Sequence, residues 1–536
     1  MLHHSRRTIP TDTGLHFEHM SRSHFRQLVF VWSLAFLCGW GWNHWNLRIL
    51  GHTPGAEDLV REQRALATAD DPSYLRPVED LLVPSGRTKA VHVFRTPGYG
   101  LWYLLIRLVL PLPAALTVLV LLQCGLFASS VTLMHHTNIR HALARPLVWT
   151  TTLALAILPM FQGFLFHTLT EGVTPALCLA VWASAMEGAR TGNKRWVAVG
   201  TASWALLVLT RPVLAWIGLP LLLTVAAQHG GRERWRHLLL VLSLGLAPTA
   251  AWWLRNVVVT GGPIALHPVY SENTNGLFRP THQAFWELAK SWGIRGDAFH
   301  GVMVPAFNAA MQGRIDSSSA DAFIASAPQG HLTSDQIERI RGLFVAWEQF
   351  TRDQLAASLQ TPTGTIMGLR PEEQLIMAGL DRETREYRRT HSLHYHLVVP
   401  IQVLRTMAFH SNLNLYMFQH TYRGRWWMEA LRWMSGGLHL LLLLVLPLLL
   451  LLRGVDARCR VTALGALAYL TYLAYVQRGV EERYTLPVLH LALAMTPFLI
   501  NQWEGRWTAL KPSWPSLQRS TSSPNGRSRT SHNRSA

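Results

Sequence analysis

The feature that most constrains the fold of this chain is a series of long apolar runs separated by polar segments. A membrane-spanning helix needs roughly 20 mostly apolar residues, and about ten stretches approach that length. The sequence therefore predicts an all-α integral membrane protein with many spans. The predicted spans lie near 28–45, 113–134, 146–166, 172–188, 195–210, 213–228, 237–254, 436–452, 461–476 and 486–502.

Composition supports a bilayer location and argues against nucleic acid as a partner. Of the 536 residues, 49% are hydrophobic and only 15% are charged, which is too apolar for a typical soluble protein. The net charge of +18 comes from basic residues scattered over short segments between apolar runs. That distribution orients membrane proteins and predicts that both termini lie in the cytoplasm.

The same reasoning divides the chain into segments. Two stretches outside the spans, LWYLLIRLVLPLP and VVPIQVLRTMAF, are predicted to be amphipathic helices at the membrane interface. The predicted divisions are a cytoplasmic N-terminus (1–27), a membrane domain (28–255) with a first external loop (46–112), an external, mainly helical domain (256–433), C-terminal spans (434–503) and a disordered basic tail (504–536).

The first external loop holds the densest group of unusual residues in the chain. It offers the adjacent acids Asp70 and Asp71, then Tyr74, and a lone Arg95 directly before Thr-Pro-Gly-Tyr, which ends at Tyr99. A carboxylate that takes a proton and a cation that holds a phosphate would meet here, where a lipid-borne substrate reaches water. For any single acid in a loop, an ordinary solvated position is the alternative.

This pattern resembles the first external loop of the GT-C membrane glycosyltransferases, specifically the bacterial relatives of the protein O-mannosyltransferases and aminoarabinose transferases. That family has an Asp followed by a Tyr, a leucine-rich turn and an Arg-x-Pro-Gly-Tyr-Pro-like segment. Gly100 stands where the family usually has its second Pro. The matching residues here are Asp71, Tyr74, Leu81, Leu82, Arg95, Pro97, Gly98 and Tyr99.

Two further landmarks of the family follow in order along the chain. Glu171, in HTLTEGVTP, resembles its second acidic position at the external end of a span. The alternative is that a carboxylate is simply favoured at the start of a helix. Arg211-Pro212 resembles a landmark at an external turn, for which we favour a structural role because Pro212 breaks the helix.

The last landmarks lie near the final spans. AWWLRNVVVTGGP matches a Trp-x-x-Arg-Asn motif through Arg255 and Asn256, although Arg255 is equally typical of an interfacial anchor. GVEERYTLP resembles the Arg-Tyr-x-x-Pro motif of the final external turn through Arg483 and Tyr484. The alternative for this turn is a polar connection with an interfacial Tyr.

The predicted external domain offers weaker signals. In YSENTNGLFRP, Glu272 and Arg279 stand near the membrane exit, where related transferases place acidic and basic residues at the donor site. The run HSLHYH has spacings that do not form the helical pair of a zinc site, so we predict no metal there. The sequence indicates no cofactor, and a divalent cation stays an open alternative.

The resemblance implies a mannosyltransferase-like enzyme of the cell envelope, built on a GT-C-type helical bundle. It would move a sugar from a polyprenyl-phosphate donor to a hydroxyl of a glycan, lipid or protein acceptor. Asp71 would be the general base, and Glu171 would orient the acceptor or a cation. Arg95, Arg255 and Arg483 would hold the donor phosphate. The other expected substrate contacts are Asp70, Tyr74, Tyr99, Glu272, Arg279 and Tyr484.

The implied location is a bacterial inner membrane, with the active site on the external face. A carrier that flips or transports lipid-linked sugars is the alternative from another class, but such proteins usually place charges near the bilayer midplane and contain repeats. A lipid-linked oligosaccharide ligase or polymerase is a third interpretation, which differs mainly in using a longer donor.

Overall fold

The computed structural model describes residues 21–68, 70–82, 95–260, 277, 279–315, 317–359, 369–410, 413, 421–478 and 481–510. The chain is 82% helical, which confirms the all-α prediction. The strands in the described part are two-residue segments, β1 (Val60–Arg61) and β2 (Ala65–Leu66), which pair antiparallel with Val60 opposite Leu66.

The helices fall into an apolar bundle and an inserted group of more polar helices. The first half contains α1 (Arg22–Gly51), α2 (Pro72–Leu82), α3 (Gly98–Arg107), α4 (Leu112–Arg140), α5 (Arg145–Ile157), α6 (Pro159–Gln162), α7 (Thr174–Thr191), α8 (Lys194–Thr210), α9 (Ala215–Ala227) and α10 (Gly231–Thr260). The second half contains α11 (Pro280–Trp292), α12 (Gly296–Met311), α13 (Ser317–Ala325), α14 (Ser334–Phe350), α15 (Ala356–Leu359), α16 (Pro371–Thr390), α17 (Val399–Ala408), α18 (Trp426–Leu451), α19 (Ala457–Tyr472) and α20 (Leu486–Leu510).

The stretches predicted to span the membrane lie largely in helices, except that 146–166 is divided between α5 and α6 and continues four residues past the end of α6. Within the described residues, 5 helices are long and apolar enough to cross a bilayer, fewer than the predicted spans: Leu112–Arg140, Gly231–Val258, Trp426–Leu451, Ala457–Gln477 and Arg483–Trp503. The others are shorter or more polar. Helices α5 and α9 have only 13 residues each, and α8 has 17.

Helix α7 is the centre of the apolar bundle. Its side chains are buried from Thr174 to Gly188, and it packs against α4, α8, α9 and α20. A helix that is buried on all sides needs small residues where neighbours cross it. Gly200 of α8 supplies one such contact, since a Cβ there would lie 3.3 Å from the Cβ of Ser184. Helix α7 thereby fixes the turn that precedes it, which contains Glu171.

The helices between α10 and α18 form an insertion, which we call the inserted domain (α11–α17, residues 280–408). Its helices α11–α14 and α16 share a core of their own, whereas Met407 of α17 belongs to the core of the apolar bundle. Phe285 packs edge-on against Phe323, Phe344 and Trp347 at the centre of the core that α11–α14 and α16 share. This core is separate from that of the apolar bundle. Helix α14 begins with a capping box between Thr333 and Gln336, which satisfies its first backbone N–H groups.

Helix α3 carries a row of exposed leucines, as expected for an interfacial helix. Leu101, Leu105 and Leu108 are 46%, 59% and 62% exposed, while Tyr99 and Tyr103 on the other face are fully buried. Gly98 begins the helix against α8, where a Cβ would come within 2.5 Å of the Thr210 backbone nitrogen. The close approach requires glycine, and it holds the segment that follows Arg95 against the bundle.

Candidate active site

The hairpin after α1 fixes the position of the acid pair. Leu66 of β2 donates a backbone hydrogen bond to Phe166 (2.8 Å) and accepts one from Thr168 (3.0 Å). These bonds tie the first loop to the turn between α6 and α7. Asp70 and Asp71 follow the hairpin and immediately precede α2, so they lie next to the turn that carries Glu171.

Asp70 is held between guanidinium groups from distant parts of the chain. Arg483 Nη2 donates to its Oδ2 at 2.6 Å, and Arg95 Nη2 donates to its Oδ1 at 3.3 Å. Arg95 also donates through Nε to Ser73 Oγ at 3.0 Å. The Asp70 side chain is 38% exposed, whereas the Arg483 side chain is only 7% exposed. The cluster therefore extends from the surface at Asp70 to the interior at Arg483.

Glu171 forms the buried half of the same cluster. Arg211 Nη1 donates to Glu171 Oε1 at 2.5 Å, and Arg483 Nε lies 3.6 Å from that oxygen. Thr170 donates to Oε2 at 3.0 Å. Burial raises the pKa of Glu171, but Arg211 and Arg483 outweigh it and lower the pKa to about 2. Glu171 is therefore ionised, and a cation would have to displace arginine to reach it.

Tyrosine rings support the arginines from the sides. The Arg95 guanidinium lies 4.8 Å from the centroid of Tyr74, and that of Arg211 lies 4.3 Å from the centroid of Tyr484. Such cation–π contacts orient a guanidinium without using its N–H donors. Tyr99 packs edge-on against Tyr74 at 5.7 Å and donates to Gln123 Oε1 at 3.1 Å, which ties the ring pair to α4.

In the described contacts Asp71 pairs with Arg61 and not with Arg95 or Arg483, which corrects the expectation that it meets those arginines. Its Oδ2 accepts a hydrogen bond from Arg61 Nε, and its side chain is fully buried. Burial raises the pKa of Asp71, against the opposing effects of the Thr168 hydroxyl and Arg61. The Thr168 hydroxyl itself donates to Leu66 O at 3.2 Å. Asp71 Oδ1 accepts no hydrogen bond from any residue in the described ranges.

The inserted domain lies beside the cluster. His300 of α12 lies close enough for the Asp70 charge to oppose the lowering of its pKa by burial. Arg478, on the turn that leads to Arg483, donates to Tyr395 O at 2.9 Å and stacks 3.8 Å from the Tyr395 ring. The turn is therefore held from both the bundle and the inserted domain.

Other predicted site residues lie elsewhere. Arg255 donates to Asn256 Oδ1 at 3.0 Å and lies 4.8 Å from the Trp252 ring, and none of its described contacts reaches the cluster. Arg279 is buried inside the inserted domain, where its Nε donates to Glu373 Oε1 at 2.6 Å. This placement corrects the expectation that Arg279 faces the substrate. Glu272 lies outside the described residues.

Sequence reasoning missed several members of the site. The sequence does not distinguish Arg61 from other loop arginines, because only the folded hairpin brings it to Asp71. The sequence favours a structural role for Arg211, but its ion pair with Glu171 makes it part of the cluster. Glu481, whose Oε1 accepts from Arg483 Nη2 at 3.0 Å, lies in the recognised turn, and its spacing two residues before Arg483 was the available signal.

Comparison with known proteins adds no assignment. No protein-family model matches the sequence, and no curated protein matches it significantly. The likeness to GT-C enzymes therefore rests on the motifs and their order along the chain.

The buried pair in the inserted domain provides a test of Arg279. Glu373→Gln would leave a buried guanidinium without its counter-charge, which costs about 3–5 kcal/mol of unfolding free energy. Hydrogen exchange of the full chain should then show faster opening of α11 and α16. Glu372→Gln, at the exposed neighbouring position, should change nothing. Exchange in Glu373→Gln that equals the wild type would show that the pair does not hold the domain.

Proposed function

We propose that this protein is a GT-C-type glycosyltransferase that transfers a sugar from a polyprenyl-phosphate donor to an acceptor hydroxyl. The observation that carries the proposal is the convergence of Asp70 and Glu171 on Arg483, with Arg95 and Arg211 beside them. These residues come from separate turns at one end of the apolar bundle. The predicted topology places that end on the outer face of a bacterial inner membrane, opposite the termini.

The arginines suit the leaving group of this reaction. When the anomeric C–O bond breaks, negative charge develops on a phosphate, and guanidinium donors fixed in advance stabilise it without reorganisation. Arg95 is the accessible member, with 28% of its side chain exposed, and Arg483 lies behind it. Arg95 and Arg483 both bind the Asp70 carboxylate. An incoming phosphate would replace that carboxylate as the acceptor of their N–H groups. None of the described contacts of Arg255 reaches this set.

Asp71 is the better general base of the acid pair. Both oxygens of Asp70 are occupied by arginine, whereas Asp71 Oδ1 accepts no hydrogen bond from the described residues. Burial raises the pKa of Asp71, and a base with a higher pKa accepts a proton more readily. The acceptor oxygen would attack the anomeric carbon as its proton passes to Asp71. This direct displacement inverts the anomeric centre.

The position of the charged residues favours a glycosyltransferase over a flippase or transporter. A flippase or transporter is expected to place its ionisable residues near the bilayer midplane in broken helices. Here the ion pairs lie in the turns before α2, α7, α9 and α20, at the ends of helices. Removal of the protein from a sealed membrane therefore separates the two classes, because only a transferase makes product in detergent.

Substitution of the base tests the assignment. We expect Asp71→Asn to lower transfer by about 10²–10⁴-fold, the usual contribution of a general base, while the protein stays folded. The assay uses purified protein in nanodiscs with a panel of polyprenyl-phosphate sugars, and mass spectrometry detects the product. Asp58→Asn, at an exposed position of the same loop, should keep wild-type activity.

Two results would contradict the proposal. If the wild type consumes no polyprenyl-phosphate sugar from the panel, the enzyme class is wrong. If it does and Asp71→Asn turns over at the same rate, the assignment of the base is wrong.

The pH profile gives an independent check. A base must be ionised, so activity falls as the pH drops through its pKa. The raised pKa of Asp71 puts that acid limb above the range of an ordinary aspartate. Arg61 lowers this pKa, so Arg61→Gln should move the acid limb to higher pH, while Arg64→Gln on the exposed hairpin turn should not. An unmoved or oppositely moved limb in Arg61→Gln would count against Asp71.

A further inference from the structure

Histidines of the inserted domain surround the hydroxyl of Tyr387, a fully buried tyrosine of α16. His331, in the loop before α14, places its Nδ1 2.7 Å from that hydroxyl, and His394 places its Nδ1 3.0 Å from it. His391 stacks on Tyr387 and on His331, with ring centroids 4.7 and 4.5 Å away. The imidazoles are partly exposed, so protons from the solvent can reach them.

The hydrogen bonds of the Tyr387 hydroxyl require a neutral imidazole. A tyrosine hydroxyl has one proton to donate and also accepts at its oxygen, so it can accept from one imidazole N–H while it donates to the bare nitrogen of another. When His331 and His394 are both cationic, both Nδ1 atoms donate, and the hydroxyl proton loses its acceptor. Protonation also places like charges on rings whose centroids lie 4.9 Å apart.

The charges around the histidines oppose their protonation. Burial lowers the pKa of His391 and of His394, and the neighbouring histidines lower both further. Arg478, which belongs to the bundle, adds to the lowering at His394. The other described charged groups near the cluster are Arg388, which stacks on Tyr395, the pair of Lys290 with Glu287, and Glu383 and Glu386, which are both bound by Arg339.

The lowered pKa values make the packing of these rings sensitive to pH. A histidine whose pKa is lowered in the packed arrangement stabilises that arrangement while it is neutral. The stabilisation is complete above the ordinary histidine pKa of about 6.5, and it is lost progressively as the pH falls from there towards the lowered values.

The residue after His394 joins the inserted domain to the bundle. The Tyr395 carbonyl accepts a hydrogen bond of 2.9 Å from Arg478 Nη2, and the Arg478 guanidinium lies 3.8 Å from the centroid of the Tyr395 ring. His394 and Tyr395 begin one π-helical segment, His394–Val398. Such segments are rare and frequently occur at functional sites. A displacement of His394 therefore moves the residue that Arg478 binds.

The bundle side of this contact is strained. Arg478 has a φ of 58°, in the left-handed region that residues other than glycine seldom adopt. It follows a second π-helical segment, Leu473–Gln477, and donates to Tyr475 O at 2.8 Å and to Lys290 O at 3.5 Å. A strained backbone persists only while the surrounding contacts hold it. Loss of the Tyr395 contact removes one of them.

We infer that the histidines around Tyr387 form a pH-sensitive latch, which holds the inserted domain on the bundle through Tyr395 and Arg478 and releases it when the histidines are protonated. The predicted topology puts this domain outside the membrane, where the pH follows that of the surroundings. Because the domain lies beside the cluster of Asp70 and Arg483, its release changes access to that cluster. Release is a change of domain position and occurs whether or not the proposed reaction does.

Spin-label distances in the full chain test the latch. Cys38→Ser removes the partly exposed thiol and leaves the buried ones. Labels are placed at Asp58→Cys in the first loop and at Glu372→Cys in the inserted domain, which are both exposed positions. In nanodiscs, a population at longer distance should appear between about pH 8 and about pH 5.5, which bracket the ordinary histidine pKa. Each histidine that gains a proton on release raises the released fraction up to about tenfold per pH unit, so we expect a rise of at least about tenfold.

Uncharged replacements should abolish this rise. In the triple variant His331→Asn, His391→Asn and His394→Asn, the amide groups can still hydrogen-bond the Tyr387 hydroxyl but take up no proton. The triple variant should therefore keep the wild-type distance of pH 8 at both pH values. His52→Asn, at an exposed position of the first loop, is the matched control and should be released as the wild type is. Arg478→Gln removes the bundle side of the latch and should be released at both pH values.

The wild-type protein alone can overturn the latch, so a variant that fails to fold does not leave it untested. A wild-type distance distribution that is the same at both pH values would overturn it. So would release at low pH in a triple variant whose thermal transition at pH 8 equals that of the wild type. A wild-type distance at pH 8 in Arg478→Gln would show that Arg478 does not hold the domain, and would also overturn it.

Discussion

The site depends on one buried guanidinium group, that of Arg483, which joins a carboxylate at the surface to a carboxylate in the interior. Its Nη2 donates to Asp70 and its Nε lies beside Glu171. Desolvation of a guanidinium group as buried as that of Arg483 costs several kcal/mol, and only close, oppositely charged partners offset that cost. The first loop, the turn before α7 and the turn before α20 must therefore meet at one place, whatever the intervening chain does.

The separation of the adjacent acids follows from this arrangement. Asp70 forms an ion pair with Arg483. Asp71, the next residue, forms its ion pair with Arg61 of the hairpin instead. One acid then organises positive charge while its neighbour keeps a buried oxygen that no described residue uses. Under the proposed reaction, Asp70 would position the arginines that hold the phosphate while Asp71 accepts the proton.

Much of the fold was predictable because apolar runs and helical periodicity are local properties. The predicted spans lie largely in helices, and THQAFWELAKSW and RPEEQLIMAGLDRETREYRR lie in α11 and α16. The convergence of the first loop with the last turn was predictable only through the order of motifs. The partners in the ion pairs were not predictable from the sequence. Nothing in the local sequence distinguishes Arg61 from its neighbours, and nothing shows that Arg279 is buried against Glu373. Side-chain direction at Asp71 was likewise set by tertiary contacts.

The most direct test of the central claim is a double-mutant cycle between Asp70 and Arg483. The free energy of unfolding of the full chain would be measured for Asp70→Asn, Arg483→Gln and the double variant, with Asp58→Asn and Arg483→Gln as the distant pair. The account predicts a coupling of about 0.5–3 kcal/mol for the first pair and additivity for the second. Additivity of Asp70→Asn and Arg483→Gln would mean that these residues do not share a site, and the account would be wrong.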